Sequence, residues 1–454
     1  APAKSCANDC SSHGVCSFVK EATDARVSAC TLSDIDCDAV CSCASGYSGT
    51  ACEMSAAELI PSRIVRATLV NNLLSLTAEQ DINDQSVASW GNLLAAIAQR
   101  PYELSASGSH AALQVGNQTL RCALSLQMNN FEELSAVLEA TNSLASVRRL
   151  SYDVNEYSPN GVATTSVYSN NTASNTVQIV SLFADLVQQS AVLGQGEDSF
   201  IFDNFRLTSG LRPFATSTGN ESVSVPPSAL ELLTNRSTAG ALLVPAGQNA
   251  LSTVLASKVI LVHPRAYSRD TSSGYVSNPM YVQLSHVGEA QPPKDYLSEV
   301  TFTFPHIAPV SAFDDRRGAN FTSHCRTITP VGHVFTYNCP GSGLVLAHNC
   351  SLGPGEYISY CPRLTPTCAS VAVDTAVISQ SADCTVTNYT AEMTTCTCRF
   401  AANTTDTSRT LLAPNLRRRV QHKLPNRRLN IGNDFISDDG IANIVTTPVH
   451  QTST

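Results

Sequence analysis

The side chains best able to do chemistry in this 454-residue chain are its seventeen cysteines, and their distribution decides what that chemistry is. Eight stand before residue 53, at Cys6, Cys10, Cys16, Cys30, Cys37, Cys41, Cys43 and Cys52. Eight more fall at Cys325, Cys339, Cys350, Cys361, Cys368, Cys384, Cys396 and Cys398. Two cysteine-dense ends around a nearly cysteine-free middle point to oxidative pairing in a secreted or periplasm-like compartment, not to a reducing cytosol. Cys122 is left over; it reads as a buried, inert thiol, with an intermolecular bridge as the alternative. Among Cys325, Cys339, Cys350 and Cys361 three connectivities are open, and sequence proximity favours Cys325 with Cys339 and Cys350 with Cys361.

Catalytic constellations are sparse. There is no Gly-x-Ser-x-Gly elbow and no His-Glu-x-x-His pair. His324 beside Cys325 could form a thiol–imidazole pair, but the neighbouring cysteines make Cys325 a disulfide partner. Gly194-Gln195-Gly196 is too short for a phosphate loop and suits a turn closing a helix. Asp434, Asp438 and Asp439, with Asn433 and Gly440, offer oxygen ligands without EF-hand spacing and read as a solvated acidic turn. The expectation is no catalytic residue, no metal, no cofactor and no enzymatic activity.

Modification signals are more numerous. Asn-x-Ser/Thr sequons at Asn117, Asn170, Asn220, Asn235, Asn320, Asn349, Asn388 and Asn403 are candidate N-glycosylation sites, which must face solvent if used. Arg417-Arg418-Arg419 is either a multibasic processing site or a basic strip for an acidic surface or glycan. The net charge of -9 argues against nucleic acid as a general partner. No run approaches eighteen apolar residues, so no membrane span is expected, and Ala1-Pro2-Ala3 suits an N-terminus left by signal-peptide removal.

The elements that must carry these residues change character along the chain. After Cys52, Leu59, Ile64, Ala67, Leu69, Leu73 and Leu74 form a helical stripe, followed by apolar-periodic runs near 85–99, 128–146 and 177–193. Trp90, the only tryptophan, reads as a core anchor, and 150–176, rich in Ser, Thr and Asn, as a loop. From about 198 the period becomes two: Phe200-Ile201-Phe202, Val223 and Val225, Val259–Val262, Tyr281–Leu284, and Val300, Phe302 and Phe304. Short strands at this spacing suggest a β-sandwich.

Two resemblances follow from these residues. Cys6, Cys10, Cys16, Cys41, Cys43 and Cys52, with Gly46-Tyr47-Ser48-Gly49 before the last, resemble an EGF-like module. That resemblance implies pairing of Cys6 with Cys16, Cys10 with Cys41 and Cys43 with Cys52, leaving Cys30 and Cys37 as an extra bridge; with no carboxylate in residues 1–5, calcium is not expected there. A helical block, then strands, then Cys368, Cys384 and Cys396-x-Cys398 resembles the GAIN domain and its GPS motif in adhesion receptors and polycystin-like proteins. The segments Val223-Ser224-Val225-Pro226, Ser257-Lys258-Val259-Ile260 and Leu297–Ile307 are similar to strands of that family. The resemblance implies Cys368 with Cys396 and Cys384 with Cys398. It departs in lacking the motif's tryptophans and in carrying the extra segment with Cys325 to Cys361. Family self-cleavage needs His-Leu-Ser/Thr after the last cysteine, to deprotonate and supply the attacking hydroxyl. Here Arg399-Phe400-Ala401 follows, so no cleavage is expected.

The expected fold is a multi-domain α+β chain. It comprises an EGF-like module over 1–54, a helical subdomain over 55–197, an antiparallel β-sandwich over 198–324, a cysteine-rich GPS-like end with disulfide-bonded terminal strands over 325–401, and an extended C-terminal arm over 402–454. Apolar residues of the arm, such as Ile431, Phe435 and Ile444-Val445, suit strand addition to another subunit. The function expected is a secreted, glycosylated structural protein, built by head-to-tail self-association into a homo-oligomer or filament; its architecture is also similar to mastigoneme-type filament proteins. The alternative is the ectodomain of an adhesion or polycystin-like cell-surface receptor.

Overall fold

The computed structural model describes residues 2–150, 171–399 and 442–450, apart from short connecting stretches of which 264–276 and 288–298 are the longest. The chain is a multi-domain α+β protein with a disulfide-rich N-terminal region, a helical layer and many antiparallel strands.

The N-terminal region is held by sulfur. Gly14–Lys20 (β1) pairs antiparallel with Arg26–Val27 (β2) and Cys37–Cys43 (β3), and Tyr47–Ser48 (β4) pairs with Met54–Ser55 (β5). The bridges are Cys6–Cys16, Cys10–Cys41, Cys30–Cys37 and Cys43–Cys52. The apolar cluster among its described residues is centred on Cys6, Cys10 and Cys52. With so little core, each bridge typically contributes about 2–4 kcal/mol.

Five helices follow among the described residues: Ala56–Glu79 (α1), Asp84–Ala98 (α2), Ala106–Leu126 (α3), Ser135–Leu150 (α4) and Asn171–Ser190 (α5). Asn83 starts α2 by accepting from the Ser86 N–H at 2.9 Å while the Ser86 hydroxyl accepts from the Asn83 N–H at 3.0 Å. Trp90 is fully buried and its indole N–H donates to Gln80 Oε1 at 2.8 Å, so the anchor has its polar atom satisfied. The apolar runs singled out in the sequence do not include α3, although Ala112, Val115, Leu120 and Ala123 give it a buried apolar face, and α5 begins within the Ser/Thr/Asn-rich stretch that reads as a loop. A Cβ on Gly116 of α3 would lie 3.4 Å from Leu94, Val137 and Ile179, so a glycine there suits the close packing of α3 against its neighbours.

Two sheets complete the fold. The strands are Asp198–Ile201 (β6), Phe205–Phe214 (β7), Glu221–Val225 (β8), Gly240–Val244 (β9), Thr253–Val262 (β10), Met280–Val287 (β11) and Glu299–Pro305 (β12). Asn320–Cys325 (β13), Val334–Asn338 (β14), Val345–Asn349 (β15) and Gly355–Tyr360 (β16) form two separate hairpin-like pairs. Leu364–Val371 (β17), Ile378–Gln380 (β18), Cys384–Tyr389 (β19), Met393–Arg399 (β20) and Ala442–His450 (β21) return to the main sheets. The orders are β18-β17-β21-β11-β10-β7-β6 and β19-β20-β12-β9-β8.

Strand alternation explains the layering. In β10, Val259 and Leu261 share a core with Leu242, Phe302 and Phe304 of the five-stranded sheet, whereas Ile260 and Val262 join the helical core with Phe183. The seven-stranded sheet is thus the middle of three layers. Lys258 is buried against α5, where its ammonium pairs with Asp185, and Gln188 donates to the Ser257 carbonyl at 2.9 Å.

Candidate functional site

The sequence-selected residues fall into four groups. Cys368–Cys396 joins β17 to β20 across the two sheets, and Cys384–Cys398 joins β19 to β20 within one of them. The pairing favoured by proximity for the preceding segment is corrected: the bridges are Cys325–Cys350 and Cys339–Cys361. The reason is polarity. Cys325 ends β13 opposite Gly355, and Cys350 follows β15 at the end where Val334 faces Asn349. Cys339 lies beyond the other end of β14, about 17 Å away at ~3.4 Å per residue, far outside disulfide reach of Cys325.

The sequons divide. Asn320, Asn349 and Asn388 are exposed on β13, β15 and β19. Asn117 lies half-buried inside α3, its amide N–H donates to Gln178 Oε1 at 2.7 Å, its side-chain carbonyl accepts from Arg121 Nε at 2.6 Å, and Thr119 is fully buried. A glycan there would have to displace the Gln178 contact. Asn170, Asn220, Asn235, Asn403 and Arg417-Arg418-Arg419 lie outside the described residues. Cys122 is a buried free thiol whose pKa burial raises. Among the described residues the one close set of metal-type donors is Cys6, Cys10 and Cys41, whose sulfurs are already in disulfides.

Sequence reading missed a serine–histidine cluster between the cysteine-rich strands. His348 Nδ1 lies 2.7 Å from Ser323 Oγ and Nε2 lies 2.8 Å from Ser359 Oγ, with Phe321 stacked on the ring at 4.5 Å. A nucleophile–base pair needs a carboxylate or amide to orient the imidazole and an open hydroxyl. Here the second partner is another hydroxyl, and Ser323 is 4% exposed. The cluster therefore satisfies buried polar groups that tie β13, β15 and β16 together.

The surface that stands out is the outer face of α1. The helical stripe is split: Leu59 and Leu73 are buried, but Ile64 and Leu69 are exposed. Ile60 is 56% exposed, Ile64 63%, Val65 57%, Leu69 48%, Leu76 42%, and Leu93 of α2 45%. Together with Pro61 and Leu73, several of them border a groove of about 690 Å³ between α1 and α2. Apolar residues recur around the helix with Thr68, Asn71, Asn72 and Ser75 exposed between them, so no single side carries all of its apolar surface. Its charges are already engaged: Arg66 donates to Glu103 Oε2 at 2.5 Å and to the Ile97 carbonyl at 2.6 Å, and Arg63 to the Tyr102 carbonyl at 3.5 Å.

The second surface is the C-terminal strand. β21 is the sole described part of the arm, and it lies between β17 and β11 in the seven-stranded sheet. It pairs antiparallel with β11 from Met280↔Ile444 to Val282↔Ala442, and with β17 from Leu364↔His450 to Ser370↔Ile444.

No protein-family model matches the chain. No curated protein matches it either. A solved structure similar to it is the full extracellular region of zebrafish Gpr126/Adgrg6, at 9% identity and a TM-score of 0.34. The alignment covers 71% of this chain and 35% of that one, so this chain spans about a third of its length. No helix among the described residues is long and apolar enough to cross a membrane.

Proposed function

We propose that this protein is a secreted, glycosylated, non-enzymatic structural subunit that self-associates into an extracellular assembly. The observation that carries the reading is the uncovered apolar face of α1. At roughly 150–180 Å² per fully open residue, its five exposed apolar residues and Leu93 of α2 leave on the order of 500 Å² for a partner. Two copies face to face would then bury about 1,000 Å², the lower bound for a specific pairing. The face is neutral because Arg66 is spent on Glu103, so it calls for an equally neutral apolar surface, and a second α1 supplies one. Eight disulfides suit an oxidising extracellular setting, and three exposed sequons suit glycosylation there.

Negative-stain electron microscopy of the native material, with light scattering on the purified chain, tests this. Regular oligomers or fibrils are expected; monomers throughout the micromolar range would overturn it. A second reading, the ectodomain of an adhesion or polycystin-like receptor, is favoured by the Cys368–Cys396 and Cys384–Cys398 connectivity that the GPS resemblance implies. A run of about twenty apolar residues encoded beyond Thr454 would favour it over the structural subunit.

A further inference from the structure

We infer that the glycan on Asn320 is a structural part of the segment 320–361, its first sugar seated on the exposed side chains of Tyr360 and Ile358. The inference rests on the glycosylation proposed above and gives one glycan a seat. β13–β16 and β14–β15 are ribbons of two strands each, and a lone two-stranded ribbon is marginal in water. Their facing sides are filled: Phe321 stacks on Tyr337 at 5.3 Å and on His348 at 4.5 Å, and the Cys325–Cys350 and Cys339–Cys361 bridges close the segment. What stays open is the outer side of β13–β16, where Tyr360 is 57% and Ile358 51% exposed, two positions apart and so on one face.

The register sets the sequon on that same face. Asn320 stands opposite Tyr360, and the sequon's Thr322 stands opposite Ile358. Directly opposed residues have Cβ atoms about 4.5–5.5 Å apart. A pyranose bonded to Asn320 Nδ2 therefore starts within reach of the phenol ring, and its C–H face suits the negative face of an aromatic while its hydroxyls stay in water. A protein partner is the poorer occupant, because a sugar rooted on this face keeps another chain off it. Asn349 repeats the arrangement on the outer side of β14–β15. It stands opposite Val334, 44% exposed, and its Oδ1 accepts from the Ser351 N–H at 2.9 Å, which leaves Nδ2 to carry the sugar. Asn388 differs, since the residue opposite it is the polar Thr395, and it serves as the control.

The test compares the full chain, secreted from a glycosylating host, with Asn320→Gln, Tyr360→Ala, the double variant and Asn388→Gln. Glycopeptide mass spectrometry shows which asparagines carry sugar, and hydrogen exchange reads local opening at the β13 and β16 amides. Asn320→Gln and Tyr360→Ala are each expected to speed that exchange about 2–10-fold, the double variant no more than either, and Asn388→Gln not at all. If a variant is not secreted, the folded wild-type chain makes the same comparison: enzymatic trimming of the glycan to its first sugar should keep exchange slow, and removal of that sugar should speed it. Multiplying effects of the two substitutions, or unchanged exchange once the sugar is gone, overturn the seat and leave glycosylation standing. A sugar-free Asn320 in the native material overturns both.

Discussion

Replacing Ile64 and Leu69 by glutamate separates a surface that joins copies from a surface that merely happens to be apolar. Ile64 is 63% and Leu69 48% exposed, so roughly half of each side chain's burial is still available to a partner. Full burial of such a side chain is worth about 1.5–3 kcal/mol, so each contributes about 0.8–1.5 kcal/mol to a contact. In a two-fold pairing each residue appears twice, giving about 3–6 kcal/mol lost per dimer, or on the order of 10²–10⁴-fold in Kd. The isolated chain should barely notice. Glutamate is at least as good a helix former as isoleucine, and exposed substitutions usually stay within about 0.5 kcal/mol. Leu73→Ala, at a position 4% exposed on the same helix, is the opposite control and should cost about 2–5 kcal/mol of stability. Sedimentation velocity across a concentration series and thermal unfolding of the same samples read both quantities. Unchanged association with an unchanged Tm would refute the α1 interface. A Tm loss as large as that of Leu73→Ala would show that the face belongs to the core.

Three further outcomes are expected. His306 is fully buried; its Nδ1 faces the Ala391 carbonyl at 2.8 Å and so carries the proton, while Nε2 accepts from Thr394 Oγ1 at 2.8 Å. Burial holds its pKa below the ordinary 6.5, so the unfolded chain takes up a proton first as pH falls. Stability should be full above about pH 6.5 and decline below it by up to about 1.4 kcal/mol per pH unit; denaturant titrations at several pH values, with His306→Gln flattening the slope, check this. Glycopeptide mass spectrometry should find glycan on Asn320, Asn349 and Asn388 and none on Asn117, whose occupancy would contradict the helix packing. Non-reducing peptide mapping should recover Cys325–Cys350 and Cys339–Cys361, and a Cys325–Cys339 peptide would contradict the strand polarity.

What can be read in advance follows the range of each signal. The continuous apolar run Val259–Val262 and the period-two alternation of Val300–Phe304 are local signals, and strands stand at both places. Helix α3 carries Gly108, Gly116 and several small polar residues, yet its apolar positions Ala112, Val115, Leu120 and Ala123 keep helical spacing, a signal local enough to be read. The α1 stripe misleads because a helix apolar on two sides has no single preferred face, and periodicity alone cannot choose Leu73 over Leu69. Strand β7 mixes Arg206, Gly210, Arg212 and Pro213 into an interior position, where Arg206 is held at 2.6 Å by Glu231. β21 is legible as something that docks, through Ile444-Val445, but its seat depends on edges contributed by residues far away in sequence.

The interior seat of β21 also has a mechanical meaning. Tension applied along the chain at His450 runs parallel to a strand paired with β17 from His450 to Ile444 and with β11 from Ile444 to Ala442, so the β17 rungs are loaded together in shear instead of opening one by one. From β17 the load can cross to the other sheet through the Cys368–Cys396 bond, a covalent step that spreads the pull over both layers. β21 is in this way hard to pull out lengthwise.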